Sequence, residues 1–569
     1  MAAIDDFVLP AQARAYDASR VHDNVRRSLG TVGTMAERVI LNRPRKGLSA
    51  YLDAVDKLRS VEFCFNSKRS YRISDKVLKH VDELLSEAAA ELENDFHRIL
   101  SKCSKPVELE YLVNFLPNLE QRLPREIISA VQKSVQLGCP QHFRKIYREV
   151  RGSTLELNLK YLGVEYVTTE EMQNTHAGSL GAKIADWIQF YQIAIKLFFA
   201  AERKLCDQIF EGKHTMKDNC FAEVTAESLS TLLSFGEAVA KSQASPEILF
   251  MLLDMYEATF ELQSEVEVVF QGYACSIHRK SALNLIRCLA LTAKKTFNDF
   301  KESILKDSPN STTADGDVHP LTSYVINYIK FLFDYQSSLK QIFKESGTSG
   351  TNSDLGSQIL DVAHALETNL EAKSKQYKDQ CLAHVFIMNN TRYITRSICS
   401  SKLKDLFGDD WVQRRQRIVQ QHAVQYRRVS WGKALEFLSA QDLTPFGWIR
   451  ESNQRTGSII GIISSITSKS VIKDKFRSFN IQFEEVCQSQ MNWVIPDKEL
   501  RDNLILAIAE ILLPAYRSFL KRFGPLIGNS HSSSSKYVKY TPEALEEALG
   551  NLFAKKSLIE PGCLFHQES

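Results

Sequence analysis

The sequence has no dominant charge, no paired-cysteine motif, no long apolar run and no catalytic signature. Lys and Arg together number 71 against 68 Asp and Glu, a formal net charge of +3. So small an excess argues against bulk nucleic-acid binding, which rests on a basic surplus that neutralises phosphates. Any basic function must therefore be local, and nucleic acid is not an expected partner.

None of the 11 cysteines belongs to a C-x-x-C pair. An odd, dispersed set reads as reduced thiols of a cytosolic chain rather than a disulfide framework or a zinc site. The start, Met1-Ala2-Ala3-Ile4-Asp5-Asp6, has acids where a signal peptide needs positive charge before an apolar run. The best apolar stretch, Gly457 to Ile472, is rich in serine and carries Lys469. A spanning helix needs about 20 predominantly apolar residues, so this stretch reads as a loop or a buried helix, and membrane contact is expected to be peripheral.

There is no Walker loop, no G-x-G-x-x-G, no H-E-x-x-H and no G-x-S-x-G. Gly347-Thr348-Ser349-Gly350 mimics a phosphate loop but lacks the Lys and a preceding strand. No catalytic residue and no cofactor are expected, and the chain does not read as an enzyme. His319 and His384 stand alone in the sequence, and His422 sits in a basic helix. Such histidines are packed or solvated more often than they ligate a metal, so no metal site is expected.

What is present is helical periodicity. Apolar residues return at three- and four-residue steps, as in Trp187, Ile188, Tyr191, Ile193, Ala194, Leu197 and Phe198, or in Leu504, Ile508, Ile511, Leu512, Ala515 and Phe519. No sustained alternation marks strands, so the expected class is all-α. At 569 residues the chain exceeds one compact core, and stacked antiparallel bundles forming an elongated rod suit many helices with short loops.

The organisation read from the pattern is a shortened N-terminal helical extension (1–75), helical bundles at 76–185, 186–345 and 346–480, and a membrane-facing C-terminal bundle at 481–569. Polar gaps at Asp307 to Val318, Lys344 to Ser357 and Gly528 to Ser535 read as exposed, mobile loops. Thr541 with Pro542 predicts a helix start. Pro514 should kink or split its helix, and Gly524-Pro525 should end it.

Three basic segments remain. Trp411 to Trp431 carries Arg414, Arg415, Arg417, Arg427 and Arg428 among glutamines, readable as an anionic-partner surface or, more simply, as a solvated helix whose arginine stems cover apolar neighbours. In Lys473-Asp474-Lys475-Phe476-Arg477 the stripe Ile472, Phe476, Phe479 and Phe483 should face inward. That places Lys473 and Arg477 on one flank and Lys475 on the other. In Lys536-Tyr537-Val538-Lys539-Tyr540 a tight helical turn would set the lysines outward and the rings inward.

The stretch from Lys473 to Phe553 resembles the C-terminal domain of the seventy-kilodalton subunit of the exocyst, in its plant form and closest to the A clade. Upstream, Cys220-Phe221-Ala222-Glu223-Val224-Thr225, His319-Pro320-Leu321-Thr322-Ser323-Tyr324, Gly408-Asp409-Asp410-Trp411 and Pro514-Ala515-Tyr516-Arg517-Ser518-Phe519 carry the same resemblance. It implies a rod of stacked helical bundles, as in other proteins of tethering complexes. It implies a non-enzymatic role in tethering secretory vesicles to the plasma membrane. The partners it implies are other exocyst subunits, Rho-type small GTPases and anionic lipids, notably phosphatidylinositol 4,5-bisphosphate. The lipid-binding positions carry over to Lys473, Lys475, Arg477, Lys536 and Lys539, and the location implied is the cytoplasm and the inner face of the plasma membrane. The rival reading is a soluble helical adaptor acting outside the exocyst, favoured by how early the Leu48-Ser49-Ala50-Tyr51-Leu52 region arrives.

Overall fold

The computed structural model describes residues 86, 89, 90, 92–101, 132, 135, 140–173, 177–242, 245–345, 355–439, 457–527 and 537–553. Among them all regular structure is helical and no strand occurs, as the periodicity predicts. In chain order the helices are α1 (Pro140–Tyr161), α2 (Thr169–Gln173), α3 (Ala177–Ile193), α4 (Ala200–Ile209), α5 (His214–Ala240) and α6 (Ile248–Glu261). There follow α7 (Gln263–Val269), α8 (Ser276–Lys306), α9 (Pro320–Asp334), α10 (Gln336–Glu345), α11 (Leu355–Ser374) and α12 (Gln380–Cys399). The last are α13 (Lys404–Phe407), α14 (Asp409–Phe437), α15 (Gly457–Gln490), α16 (Lys498–Ile527) and α17 (Pro542–Gly550).

The chain divides into two compact units, Met1–Phe300 with Ser337–Gly350, and Lys301–Gln336 with Thr351–Ser569. The boundaries drawn from sequence at 185/186 and 480/481 fall inside the continuous helices α3 and α15. The segment 1–75, the loop residues 346–354 and 528–535, and Lys536 lie outside the described residues.

In the first unit the apolar stripe of α3 changes register. A π-helical segment, Ala194–Phe199, joins α3 to α4. Its wider turn brings Ile195 and Phe199 into the core beside Trp187, Tyr191, Ala194 and Phe198, while Ile193 and Leu197 are left half-buried. The Trp187 indole donates to the Leu232 carbonyl at 2.8 Å and fixes α3 on α5.

In the second unit the segment after α8, read from sequence as mobile, is pinned. Lys373, wholly buried on α11, holds Asp307 at 2.7 Å and Ser311 Oγ at 2.6 Å and donates to the Ser308 carbonyl. Asn389 donates to the Gly316 carbonyl at 2.7 Å. His319 caps α9, its Nδ1 accepting from the Leu321 amide at 3.1 Å and its Nε2 meeting the Ser311 carbonyl at 2.8 Å. This histidine is a satisfied cap. Buried polar side chains of α11 and α12 thus answer carbonyls of a loop whose own residues are mostly exposed or half-buried.

The C-terminal core forms between α12, α14, α15, α16 and α17. Ile472, Phe476, Phe479 and Phe483 of α15 are buried, as the stripe predicts, against Leu504, Ile508, Leu512, Tyr516, Phe519 and Phe523 of α16. Phe476 meets Phe519 edge-on at 4.9 Å, and Phe479 stacks on Tyr516 at 5.1 Å. One expectation fails here. α16 does not stop at Gly524-Pro525, and it runs unsplit through Pro514 as well, to Ile527. Both prolines are on the exposed side, where water can satisfy the freed carbonyls, and the aromatic face opposite holds the helix together. By length and composition α16 is apolar enough to cross a membrane, and one face of it, Leu504, Ile508, Leu512, Tyr516, Phe519 and Phe523, is buried in this core.

Candidate functional site: a basic edge at the C-terminal bundle

Residues 537–541 have no helical structure, so the tight helical turn expected there is absent among the described residues. The segment is held instead by side chains of two helices. Asn480 of α15 donates to the Tyr537 carbonyl at 2.8 Å, and the Tyr516 hydroxyl of α16 donates to the Tyr540 carbonyl at 2.7 Å. Such anchors answer carbonyls that a helical turn would have satisfied internally. Thr541 then caps α17 as expected, its hydroxyl accepting from the Ala544 amide at 3.1 Å, with Pro542 in the first turn.

Although the backbone differs, the rings still turn inward. Tyr537 and Tyr540 pack on the aromatic core, Tyr540 edge-on to Phe483 at 5.3 Å. The outer face of Tyr537 then receives two cations from α15: Lys473 Nζ lies 5.1 Å and Arg477 Cζ 5.7 Å from its ring centroid. These two residues are one helical turn apart on one flank, as the stripe predicts. Lys475 is on the other flank and donates to the Ser439 carbonyl at 2.8 Å.

Lys539 is exposed, and its Nζ is 2.6 Å from Glu484 of α15. Glu484 also accepts from the Tyr540 hydroxyl at 2.9 Å. The Lys539 hydrogen bond, aided by Tyr540, holds the Glu484 carboxyl below its ordinary range despite partial burial. Burial, reinforced by Glu484, pushes the Tyr540 hydroxyl up to about 12. The site thus brings together Lys473, Arg477 and Lys539 around one segment, sets Lys475 apart, and does not describe Lys536.

Sequence reasoning missed further cations. Lys521 and Arg522 of α16 are exposed within one turn of Phe519, the residue that faces Phe476 of α15. The Lys-Arg pair is readable as charge, but nothing in its spacing ties it to α15. Reasoning from sequence also missed Glu484 as the counter-ion, 55 residues from Lys539. Nor did it pair His384 with His422, whose Nδ1 atoms are 2.9 Å apart between α12 and α14. Among the described residues no group of three or more His, Cys, Asp or Glu is placed to hold a metal ion.

The described residues are all helical and gather Lys473, Arg477 and Lys539 at one edge of the C-terminal bundle. The family model for the C-terminal part of Exo70, an exocyst complex component, matches residues 185–551, and that for the Exo70 N-terminal part matches residues 14–102. The chain is 45% identical to Exocyst complex component EXO70A1 of Arabidopsis thaliana, over 99% of this chain and 93% of that protein. It is 43% identical to EXO70A3 of the same plant, over 75% of this chain and 70% of that protein. Yeast Exo70 (S. cerevisiae) has the same fold, with a TM-score of 0.57 at 16% identity, covering 93% of this chain and 100% of that one. The chain belongs to the Exo70 family of exocyst complex subunits, whose members are structural tethering components and not enzymes.

Proposed function

We propose that this chain is a working exocyst subunit that docks secretory vesicles at the cytoplasmic face of the plasma membrane by binding anionic phosphoinositides along its C-terminal basic edge. The observation that carries the reading is the pair Lys473 and Arg477, set one turn apart over the single ring of Tyr537, with Arg477 exposed and Lys473 half-buried. The ring orients two cations toward the same side, where one multiply charged headgroup can meet both. Lys539 adds charge on the same segment as Tyr537, and Lys475 is held off by its bond to Ser439.

Each cation close to an anionic surface contributes about 1 kcal/mol, so Lys473 and Arg477 together supply about 2 kcal/mol, a factor of about 30. That is weak on its own. Stable docking then needs several lipids or other exocyst subunits acting together, which membership of a multi-component complex provides.

Against the adaptor reading, the family's N-terminal model matches residues 14–102. The test is to incubate the full chain with the other exocyst subunits and with vesicles containing or lacking phosphatidylinositol 4,5-bisphosphate. Co-purification with the subunits and flotation only with the charged vesicles is the expected result. A chain that joins neither is not the tethering protein described.

A further inference from the structure

The basic helix α14 divides into two sets of arginines. Arg415 pairs with Glu367 of α11 at 2.5 Å and lies 5.0 Å over the Trp411 ring, and Arg427 donates to the Ala507 carbonyl at 3.2 Å. These two hold the unit together. Arg414, Arg417 and Arg428 are exposed and make no ion pair among the described residues.

The exposed set has an order. Arg414, Arg417, Gln421, Val424 and Arg428 follow one another at steps of three and four, which at 100° per residue confines them to an arc of about 80°. Val424 is half exposed in the middle of that line. From Trp411 to Leu435 the sequence contains no Asp or Glu. Arg417 and Arg428 are therefore about 16 Å apart along the axis, with an uncharged centre of amide and valine between them.

The same line ends on a glycine. Gly432, five turns beyond Arg414, is inside the helix, where Gly costs about 1 kcal/mol relative to Ala. A Cβ there would meet nothing within 4 Å, so no neighbour in this chain requires the gap. A glycine without an internal reason, in line with unpaired arginines, permits the close approach of a backbone from outside.

We propose that this face of α14 is a docking surface for an acidic amphipathic helix of a partner protein, laid lengthwise along it. Carboxylates of the partner pair with Arg414, Arg417 and Arg428, its apolar side chains cover Val424, and its backbone comes closest at Gly432. The layout of charge at the ends around an uncharged centre follows protein interfaces, where arginine is favoured and the core is depleted of charge. A membrane surface would use the cations but has no use for a glycine gap or for a stripe only about 80° wide.

The test places a photo-crosslinking phenylalanine analogue at Gln421 of the full chain in cells, and the captured peptide is sequenced. The expected adduct is a segment of another protein with acidic residues at helical spacing. Its yield should fall about ten-fold in Arg414→Glu/Arg417→Glu/Arg428→Glu, and also in Gly432→Leu, which blocks close approach without touching charge. Arg→Gln at the same three positions is the milder charge variant if reversal lowers the melting temperature. A lipid or nucleic-acid adduct, an adduct with this chain's own residues, a partner segment without acids, no adduct, or a yield indifferent to Gly432→Leu would overturn the proposal.

Discussion

Lys539 and Glu484 form a 2.6 Å ion pair that ties the segment before α17 to α15, and the pair leaves Lys539 partly neutralised at the edge where the chain is proposed to meet lipid. Glu484→Gln should therefore free one cation. Affinity for anionic vesicles is expected to rise by up to about five-fold, since a cation at the surface is worth about 1 kcal/mol. Unchanged or weaker flotation of this variant would mean that Lys539 does not face the membrane.

In the segment 537–541 the backbone carbonyls of Tyr537 and Tyr540 are held by two hydrogen bonds, from Asn480 and Tyr516. Tyr516→Phe removes one without changing the stack on Phe479, and should cost about 1 kcal/mol in denaturant unfolding, with Asn480→Ala costing a similar amount. If the segment is a functional strap, the double variant also loses vesicle affinity, because the Tyr537 ring no longer holds Lys473 and Arg477. Retained affinity in a destabilised double variant would show that the cations need no such support.

Much of this bundle was legible in the sequence because it is local. The stripe from Ile472 to Phe483 and the cap at Thr541 depend on residues within a few turns, where periodicity and capping chemistry act directly. Glu484 with Lys539, Tyr516 with Tyr540 and His384 with His422 depend on which helices become neighbours, and no spacing rule carries that. Gly524-Pro525 misled because the rule for a lone helix omits the aromatic face that holds this one. The π-helical segment misled in the opposite way, since one widened turn exchanges which residues face inward.

Around Lys373 the structure sets an asymmetry. Lys373 is wholly buried whereas Asp307 is 40% exposed. Asp307→Asn leaves a buried ammonium without its counter-ion and should cost about 3 kcal/mol. Lys373→Met leaves a carboxylate that water can reach and should cost less, about 1–2 kcal/mol. Equal costs in chemical denaturation, or the reverse order, would contradict the burial pattern.

Burial, reinforced by His384, pushes the His422 imidazole down to about 4, and burial also lowers His384. An unfolded histidine titrates near 6.5, so between about 6.5 and 4 the unfolded chain binds more protons and stability falls as the pH drops. Above about 6.5 the pair contributes no pH dependence. The melting temperature should decline from pH 7 to 5, and His422→Gln should flatten that decline. A decline of the same slope in the variant would assign it to other groups.

Flotation of the full chain with phosphatidylcholine vesicles carrying phosphatidylinositol 4,5-bisphosphate, compared between the native protein and Lys473→Glu/Arg477→Glu, tests the lipid-docking edge most directly. Both side chains are outside the buried stripe, so helical content and melting should be nearly unchanged. Binding by the double variant should fall about ten-fold or more, and added salt should weaken the native protein in the same direction, because screening at about 0.15 M limits exposed charges to a reach of about 8 Å. A folded double variant that floats as well as the native chain would contradict lipid docking at this edge.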